Sequence, residues 1–186
     1  YVEMALQYQR LDSETTDFVF EETDLDEIIR TSVRKYARQF IAKNISMSYE
    51  PVETTVITDK KWLSFVIEQV ISNAVKYTKT GGIKIYLEDG DGTMSVPVQK
   101  ASHRKEDDGE NSGMKSGRLV IEDTGIGIRA EDLPRICEMG YTGCNGHEGQ
   151  HSSGIGLYLC SRILKKLGHT FSITSKEGVG TVLKIG

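Results

Sequence analysis

The sequence predicts an α+β domain in which helices cover one face of a mixed sheet. Segments of helical and strand character do not alternate strictly along the chain, so a sheet built only from parallel strand–helix–strand units is not expected. Two segments, 25–40 and 59–77, carry apolar residues at helical spacing. Near the end, FSITS and TVLKI flank Glu177-Gly178 and predict a hairpin.

Each element can be placed from its residues. Asp24 and Asp59 are suited to accept hydrogen bonds at the starts of the two long helices. A third helix is expected from about residue 154 to 167, because Gly168 provides a natural stop. A shorter helical piece is expected near 131–138. Strands are expected at 17–23, 45–50, 54–58, 83–88 and 118–123.

Composition and charge narrow the class of protein. The 186 residues are 38% hydrophobic and 27% charged, which allows one buried core, and the formal net charge of −4 argues against nucleic acid as the main partner. No apolar run approaches the roughly 20 residues that span a bilayer. Three cysteines, an odd and sparse set, indicate a reducing compartment. The start lacks a methionine and a signal peptide, so we interpret the chain as a fragment.

Residues 89–116 differ from the rest of the chain. They are rich in Gly, Ser, Asp, Glu and Lys and carry almost no apolar side chains. Such a segment buries too little apolar surface to order itself, so a long mobile loop is predicted between two strands.

The helix at 59–77 has an apolar and a polar face. The apolar residues recur at the spacing of a buried stripe; they are Leu63, Ile67, Val70, Ile71 and Ala74. The polar side carries Gln69, Asn73, Lys76 and Tyr77. The amide oxygen of Asn73 is a ligand that Mg²⁺ accepts, and Lys76 supplies a positive charge for phosphate. A solvated helix face without a ligand is the simpler alternative.

Asp123 ends an apolar strand and is followed by Gly125 and Gly127. A carboxylate there can accept a hydrogen bond from an exocyclic amine such as that of adenine, whereas guanine would present a carbonyl. The two glycines let the backbone pass close to a flat ring. Two alternatives remain. One is a tight turn without a ligand; the other is a dinucleotide fingerprint at 125–130, although no parallel strand–helix–strand unit follows it.

A second glycine pair, Gly154 and Gly156, precedes the third helix. Exposed backbone N–H groups and the helix dipole make such a position a good anion site. Ordinary capping by Ser152 or Ser153, with close helix packing, is the alternative. The sequence contains no GxxxxGK[ST] motif, so a nucleotide site in this chain is not a P-loop.

Together these segments resemble motifs of the GHKL ATPase/kinase superfamily, and in detail those of sensor histidine kinases. Residues 73–78 (NAVKYT) resemble the N box, and 123–128 (DTGIGI) resemble the G1 box. Residues 153–157 (SGIGL) resemble the G2 box, and 178–181 (GVGT) resemble the terminal Gly-Thr element. The similarity covers nearly all of the chain after residue 16 except the long loop, and four motifs in this order are highly specific.

The resemblance implies a two-layer α/β sandwich of the GHKL type that binds ATP with Mg²⁺. By position in the N box, Asn73 is expected to bind the metal and Lys76 the phosphates, while Tyr77 lines the nucleotide pocket. Gln69, one turn before Asn73, is a second candidate at the metal.

The other boxes imply the rest of the site. Asp123 is expected to recognise adenine, with Thr181 supporting the adenine site through Asp123 or a water. Gly125 and Gly127 are expected to flank the ring, and Gly154 and Gly156 are expected to face the phosphates. Leu157 of the G2 box is expected among the residues that bind the nucleotide. Residues 128–152 are expected to form a mobile ATP lid.

Two positions depart from the family pattern. Gln69 stands where histidine kinases usually carry Asn and where GHKL ATPases such as gyrase carry a Glu that activates water. Because an amide cannot take a proton, this position favours phosphoryl transfer over ATP hydrolysis. Cys137 and Tyr141 occupy the usual phenylalanine positions of the F box, a departure that concerns the packing of the lid.

The implied reaction is transfer of the γ-phosphate of ATP to a histidine on the protein's own dimerisation domain, for relay to a response regulator. That acceptor is expected to be absent from this chain, because only His147 precedes an acid and no helix pattern surrounds it. Residues 1–16 are expected to be the end of a dimerisation helix and a linker, ahead of the catalytic domain at 17–186. An unrelated extra helix is the alternative.

The full-length protein is expected to be a membrane-anchored homodimer with this part in the cytoplasm, although the fragment alone can be monomeric. The segments DFVFEETDLDEIIR (17–30) and EQVISNAVKYT (68–78) resemble those of kinases that sense cell-envelope stress or antimicrobial peptides. A GHKL serine kinase of the anti-sigma type and a degenerate nucleotide-binding docking module remain alternatives. A zinc cluster is disfavoured by its cysteine spacing; its four candidate ligands are Cys137, Cys144, His147 and His151.

Overall fold

The computed structural model of the chain describes residues 9, 11, 18–52, 54–89, 117–143 and 153–186. Within them the strands are β1 (Glu21–Asp24), β2 (Ser46–Tyr49), β3 (Thr55–Thr58), β4 (Gly82–Asp89), β5 (Gly117–Asp123), β6 (Phe171–Lys176) and β7 (Gly180–Ile185). The α-helices are α1 (Leu25–Lys43), α2 (Lys60–Tyr77) and α3 (Gly156–Leu167), and a single 3₁₀ turn spans Leu133–Arg135.

Five strands form one mixed sheet in the order β2-β4-β5-β7-β6. β2 runs parallel to β4, and the other neighbours are antiparallel. β1 and β3 form a separate antiparallel pair. α2 packs between α1 and α3, and both α2 and α3 contact the sheet. This arrangement confirms the predicted α+β class, with the helices on one face of a mixed sheet.

The helix ends follow the residues predicted to set them. The Asp24 carboxylate accepts the N–H groups of Asp26 and Glu27 at the start of α1. Asp59 Oδ1 accepts Trp62 N–H at 3.1 Å at the start of α2. Gly168 ends α3 in the left-handed conformation, with φ of +81°.

Three elements differ from the sequence prediction by more than one residue at their start. β1 begins at Glu21, and residues 18–20 of the strand predicted at 17–23 do not belong to it, because Val19 N–H donates to Asp59 Oδ2 at 3.0 Å instead of to a neighbouring strand. The helical piece expected near 131–138 is reduced to the 3₁₀ turn at Leu133–Arg135. α3 begins at Gly156, because Gly154 has φ of +65°, which no right-handed helix accepts.

The core lies between the helices and the sheet. The predicted stripe of α2 is buried throughout, from Leu63 to Ala74. It faces inward-pointing residues of three neighbouring strands, which are Ile83 and Ile85, Leu119 and Ile121, and Leu183 and Ile185. Leu11, which is helical and fully buried, belongs to the same core.

Some predictions fall outside the described residues. These include most of the helix at 1–12 and nearly all of the loop at 89–116, of which only Asp89 is described, at the end of β4. The division at residue 16 stays a prediction. Among the described residues, the helices do not combine the length and apolar character that a membrane crossing requires.

Candidate functional site

A cavity of about 320 Å³ opens between α2, the turn after β5 and the start of α3. Nine of the eleven predicted site residues line it: Gln69, Asn73, Lys76, Tyr77, Gly127, Gly154, Gly156, Leu157 and Thr181. Residues from four separate motifs therefore meet at one place, although more than 100 positions separate the first from the last.

A second cavity, of about 70 Å³, adjoins the first beneath β5. Asp123 lines it at one side, and most of its wall is apolar. The two cavities share five lining residues, which are Asn73, Tyr77, Ile128, Leu157 and Thr181. A narrow apolar space with a carboxylate at its edge suits a flat ring that carries one hydrogen-bond donor. Gly125 lines neither cavity.

Asp123 is held by the backbone around it. Its Oδ1 accepts the N–H of Gly125 at 2.8 Å. Burial raises the pKa of Asp123 above its ordinary value of 3.8, against the hydrogen bonds from the backbone of Gly125 and Thr181, which lower it. The hydrogen bond from Gly125 therefore fixes the orientation of the carboxylate, and partial burial limits its contact with water. A hydrogen-bond donor on a ligand would be a favourable partner for it.

The G1 glycines are required by neighbouring backbone. A Cβ on Gly125 would lie 2.7 Å from the carbonyl oxygen of Tyr77, at the end of α2. Gly127 has φ of +67°, and a Cβ there would collide with the carbonyl of Lys176. The sequence analysis explained these glycines by the close approach of a flat ring. The structure shows that the absence of a Cβ also lets the turn pack directly against the end of α2 and against the β6–β7 hairpin.

The hairpin also bonds directly to the G1 turn. Gly178 N–H donates to the carbonyl of Ile126 at 2.7 Å, and Ile128 N–H donates to Ser175 Oγ at 2.9 Å. Ser175 Oγ lies 2.9 Å from Thr181 Oγ1. Ser175 does not line either cavity and was not identified from the sequence.

The polar face of α2 meets the cavity as predicted. Gln69 Nε2 lies 3.4 Å from Asn73 Oδ1, a long hydrogen bond between the two candidate metal ligands. Lys76 Nζ lies 5.0 Å from the centre of the Tyr77 ring. Asn73 offers an oxygen that suits a hard cation which keeps its waters, whereas Gln69 presents its nitrogen to Asn73.

Lys43, which the sequence analysis did not single out, fixes the end of α2. Its Nζ donates to the carbonyls of Val75 at 2.6 Å and Lys76 at 3.1 Å. A cation at the carbonyl end of a helix is favourable, because those oxygens have no partner within the helix. Lys43 therefore positions the turn that carries Lys76.

The G2 glycines differ from each other. Gly140 N–H donates to the carbonyl of Gly154 at 3.0 Å, and a Cβ on Gly154 would collide with the backbone of Gly140. A Cβ on Gly156 would instead lie 2.8 Å from Gln69 Nε2, the end of a flexible side chain. No side chain caps the start of α3, although Ser153 Oγ accepts Ile155 N–H at 3.3 Å. Ser152 lies outside the described residues.

The altered F box is packed in an ordered way. The hydroxyl of Tyr141 hydrogen-bonds to the buried carboxylate of Asp132, and the Arg135 guanidinium lies 4.4 Å from the centre of the Tyr141 ring. Asp132 and Tyr141 both line the larger cavity. A phenylalanine at 141 would lack this hydroxyl. The part of the predicted lid at 144–152 lies outside the described residues.

The described residues contain no cluster of His, Cys, Asp or Glu that could hold a metal ion. Of the four candidate zinc ligands only Cys137 is described, and burial raises the pKa of its thiol, which disfavours the thiolate that zinc requires. Cys144, His147 and His151 lie outside the described residues.

A family model described as "Histidine kinase-, DNA gyrase B-, and HSP90-like ATPase" matches residues 58–185. Sensor histidine kinase YxdK of Bacillus subtilis is 33% identical over 98% of this chain and 50% of its own length. Sensor protein BceS of Halalkalibacterium halodurans is 29% identical over 99% and 48%. Sensor protein kinase GraS of Staphylococcus aureus is 30% identical over 95% and 44%. The chain spans about half the length of these relatives.

Solved structures share the fold. Full-length ShkA in complex with AMPPNP superposes with a TM-score of 0.75 at 20% identity, over 99% of this chain and 34% of that one. The catalytic domain of histidine kinase ThkA gives 0.67 at 21% identity, over 90% and 94%. ThkA in complex with the response regulator protein TrrA gives 0.68 at 21% identity, over 99% and 45%.

Proposed function

The chain belongs to the family of histidine kinase-, DNA gyrase B- and HSP90-like ATPases, and from that premise we propose that it binds Mg²⁺–ATP and transfers the γ-phosphate to a histidine. The acceptor histidine would lie on the dimerisation domain of a two-component sensor kinase. The proposal rests most on one observation, the Asp123 carboxylate at the edge of an apolar cavity that adjoins the cavity of the N and G2 boxes.

The smaller cavity would hold the adenine ring. Asp123 can accept a hydrogen bond from the exocyclic amine of adenine, and the backbone bond from Gly125 keeps its carboxylate aimed. Guanine would place a carbonyl opposite the carboxylate, leaving two acceptors facing each other without a proton. Thr181, which lines both cavities, would contact the same edge of the base directly or through a water.

The larger cavity would hold the phosphates. Lys76 would leave its position over Tyr77 to contact a phosphate oxygen, and the uncapped N–H groups at the start of α3 would face the anion. Mg²⁺, when bound, would neutralise phosphate charge during transfer. Asn73 would supply a protein ligand through its amide oxygen; Gln69 would be a ligand only after turning its oxygen toward the metal.

The geometry of α2 favours transfer to a protein group over hydrolysis. Gln69 stands one turn before Asn73 and lines the cavity, but an amide cannot accept the proton of an attacking water. The nucleophile is therefore expected from a partner domain, where a neutral imidazole can attack through the lone pair of one ring nitrogen and release the proton of the other nitrogen afterwards. Catalysis would depend on positioning and on neutralising charge.

We extend the proposal to the whole protein, of which this chain would be the catalytic part. Residues 17–186 would form the catalytic domain with an ATP lid at 128–152, after the end of a dimerisation helix at 1–16. The relatives are named as sensor proteins or sensor kinases, which supports a sensory role. The whole protein would be a membrane-anchored homodimer that senses envelope stress. A crystal structure shows ThkA in complex with the response regulator protein TrrA. A response regulator would likewise receive the phosphoryl group from the histidine here.

A nucleotide titration tests the base pocket. The chain is titrated with ATP and GTP, with and without Mg²⁺, by calorimetry, alongside Asp123→Asn. We expect ATP to bind in preference to GTP, Mg²⁺ to strengthen ATP binding, and Asp123→Asn to lose about tenfold or more in ATP affinity.

Asp89→Asn is the matched control. Asp89 also ends a strand, but it is exposed and lies at the opposite end of β4, whose other end pairs with Asp123. ATP affinity should be unchanged in this variant. Equal affinity for ATP and GTP, or an Asp123→Asn variant that binds like the parent, would overturn the proposed assignment of the base pocket.

A further inference from the structure

Ser175 lies behind the proposed base pocket without lining it. It is half-buried on β6, directly opposite Thr181 of β7, which in turn pairs with Asp123 of β5. These three residues form one row across the sheet, on the face that packs against the helices. On this face of the sheet, the polar row lies next to the apolar row of Ile121, Leu183 and Ile173, and it borders the proposed site.

The bonds of Ser175 connect three segments. Its Oγ lies 2.9 Å from the N of Ile128, 2.8 Å from the carbonyl oxygen of Gly180 and 2.9 Å from Thr181 Oγ1. Ile128 and Thr181 both line the two cavities. The hydroxyl of Ser175, which lies 47 positions after Ile128, therefore joins the G1 turn to the terminal Gly-Thr element.

The direction of each bond follows from counting protons. A serine hydroxyl has one proton and two lone pairs. The Gly180 carbonyl can only accept, so the Ser175 proton points there, and the Ile128 N–H can only donate, so it occupies one lone pair. The remaining lone pair of Ser175 accepts the proton of Thr181.

This count fixes the polarity of Thr181. With its proton donated to Ser175, Thr181 Oγ1 keeps only lone pairs for the cavity that it lines. It therefore presents an acceptor, as does Asp123 one strand away. Two acceptors on one edge of the pocket favour an amino group on the base and disfavour a carbonyl.

We propose that Ser175 is a positioning residue that sets Thr181 as a hydrogen-bond acceptor and thereby strengthens selection of a 6-amino purine over a 6-oxo purine. The inference rests on the proposed nucleotide site and adds a residue that does not touch the nucleotide. Without Ser175, the Thr181 hydroxyl can rotate and donate its proton to a carbonyl on the base, so discrimination weakens.

The test is a double-mutant cycle between Ser175→Ala and Thr181→Val, with the ratio of ATP to GTP affinity as the readout. We expect each single variant to lower the ratio about five- to tenfold, the loss of one hydrogen bond. The double variant should lose no more than about twofold beyond either single variant, because both changes remove the same acceptor. Ser175→Thr, which keeps the hydroxyl, should retain the ratio of the parent.

Ser172→Ala is the matched control, since Ser172 lies on the same strand but is exposed on the opposite face. Its ratio should equal that of the parent. Ser175→Cys keeps the shape of the side chain with a weaker hydrogen-bonding atom and serves if Ser175→Ala does not fold; a smaller fall in the ratio is expected.

The outcomes separate this inference from the proposed function. A parent that prefers ATP and loses it through Asp123→Asn, with an unchanged ratio in Ser175→Ala and Ser175→Cys, would overturn only the role of Ser175. Additive effects in the cycle would do the same, because they place Ser175 outside the action of Thr181. A parent that binds ATP and GTP equally would overturn both.

Discussion

The base half of the site and its phosphate half are built differently. We define the base half as Asp123, Gly125, Gly127, Ser175 and Thr181, and the phosphate half as Gln69, Asn73, Lys76 and Gly156. In the base half all but one of the contacts described above involve a backbone atom; the exception is the bond between Ser175 Oγ and Thr181 Oγ1. In the phosphate half the contacts that face the cavity are made by side chains, and Lys43 bonds the Lys76 carbonyl at the end of α2.

The base half is held in place by hydrogen bonds and close packing among β5, the G1 turn and the β6–β7 hairpin. Asp123 accepts an N–H from Gly125, and the hairpin holds the turn through Gly178 N–H and the Ile126 carbonyl. The left-handed Gly127 fits against the carbonyl of Lys176. A change at one of these positions must move a strand or a turn.

The phosphate half can adjust without moving the chain. Gln69 and Asn73 are joined by a long hydrogen bond, and Lys76 rests over the Tyr77 ring, a contact worth about 0.5–1 kcal/mol at an exposed site. The three atoms nearest to a Cβ on Gly156 would all belong to the Gln69 side chain. In the proposed function, recognition of the base would depend on the rigid half, and the adjustable half would give freedom to the phosphate that is transferred.

Gly127→Ala is expected to have the largest effect. Its φ of +67° costs an alanine about 1–2 kcal/mol, and its Cβ would collide with the Lys176 carbonyl. We expect the free energy of unfolding to fall by about 3 kcal/mol or more in a urea titration. Gly178→Ala is the control, with φ of +74° and open space around its Cβ, and should lose only about 1 kcal/mol. Equal losses would show that the base half is not closely packed.

Gly154→Ala should have the next largest effect, because it combines φ of +65° with a collision against the backbone of Gly140. A loss of about 2–3 kcal/mol in the free energy of unfolding is expected. Gly140→Ala provides the comparison, since φ there is +78° but no atom lies near its Cβ. If Gly140→Ala is as damaging as Gly154→Ala, the contact between these two segments contributes nothing.

The pH dependence of ATP affinity should arise in the base half. Burial raises the pKa of Asp123 above 3.8, so its carboxylate takes up a proton at a higher pH than an exposed aspartate. A protonated carboxyl loses acceptor capacity, so affinity should fall as pH drops through this raised pKa, by up to about tenfold per pH unit.

Calorimetry of the parent and Asp123→Asn over a common pH series measures this effect. The difference between the two profiles removes the titration of ATP itself. An identical acid limb in both proteins would show that the phosphate half, or the nucleotide alone, sets the pH dependence.

Gly156→Ala should have the smallest effect. Its Cβ would lie 2.8 Å from Nε2 and 3.0 Å from Cδ of Gln69, a flexible side chain that can shift as a whole. We expect less than about 1 kcal/mol of lost stability, because alanine also favours the first turn of α3. Combining it with Gln69→Ala should restore stability to the parent value or above. A large loss that Gln69→Ala does not relieve would mean that the phosphate half is as rigid as the base half.

Much of this architecture could be predicted from the sequence. The caps at Asp24 and Asp59, the buried stripe of α2 and the stop at Gly168 were confirmed, because these features depend on residues within about four positions of each other. The order of the four boxes predicted the family, which the match at 58–185 confirmed. The roles given to individual site residues stay predictions.

The contacts between segments that are distant in the chain could not be predicted from the sequence. Val19 bonds to Asp59 across 40 positions, and this contact delays the start of β1. Lys43 reaches the end of α2 across 32 positions, and Ser175 reaches Ile128 across 47. No local pattern marks these residues, since an isolated lysine or serine fits many environments equally well.

The sequence by itself determined the class of fold, the elements that carry the site and the chemical groups available to it. Only the tertiary structure decided which glycines face backbone and which face a side chain, and which groups the hydroxyl of Ser175 meets. The physical reason is that local propensities act over one or two turns, whereas hydrogen bonds and close packing are satisfied among segments that meet only after the chain has folded.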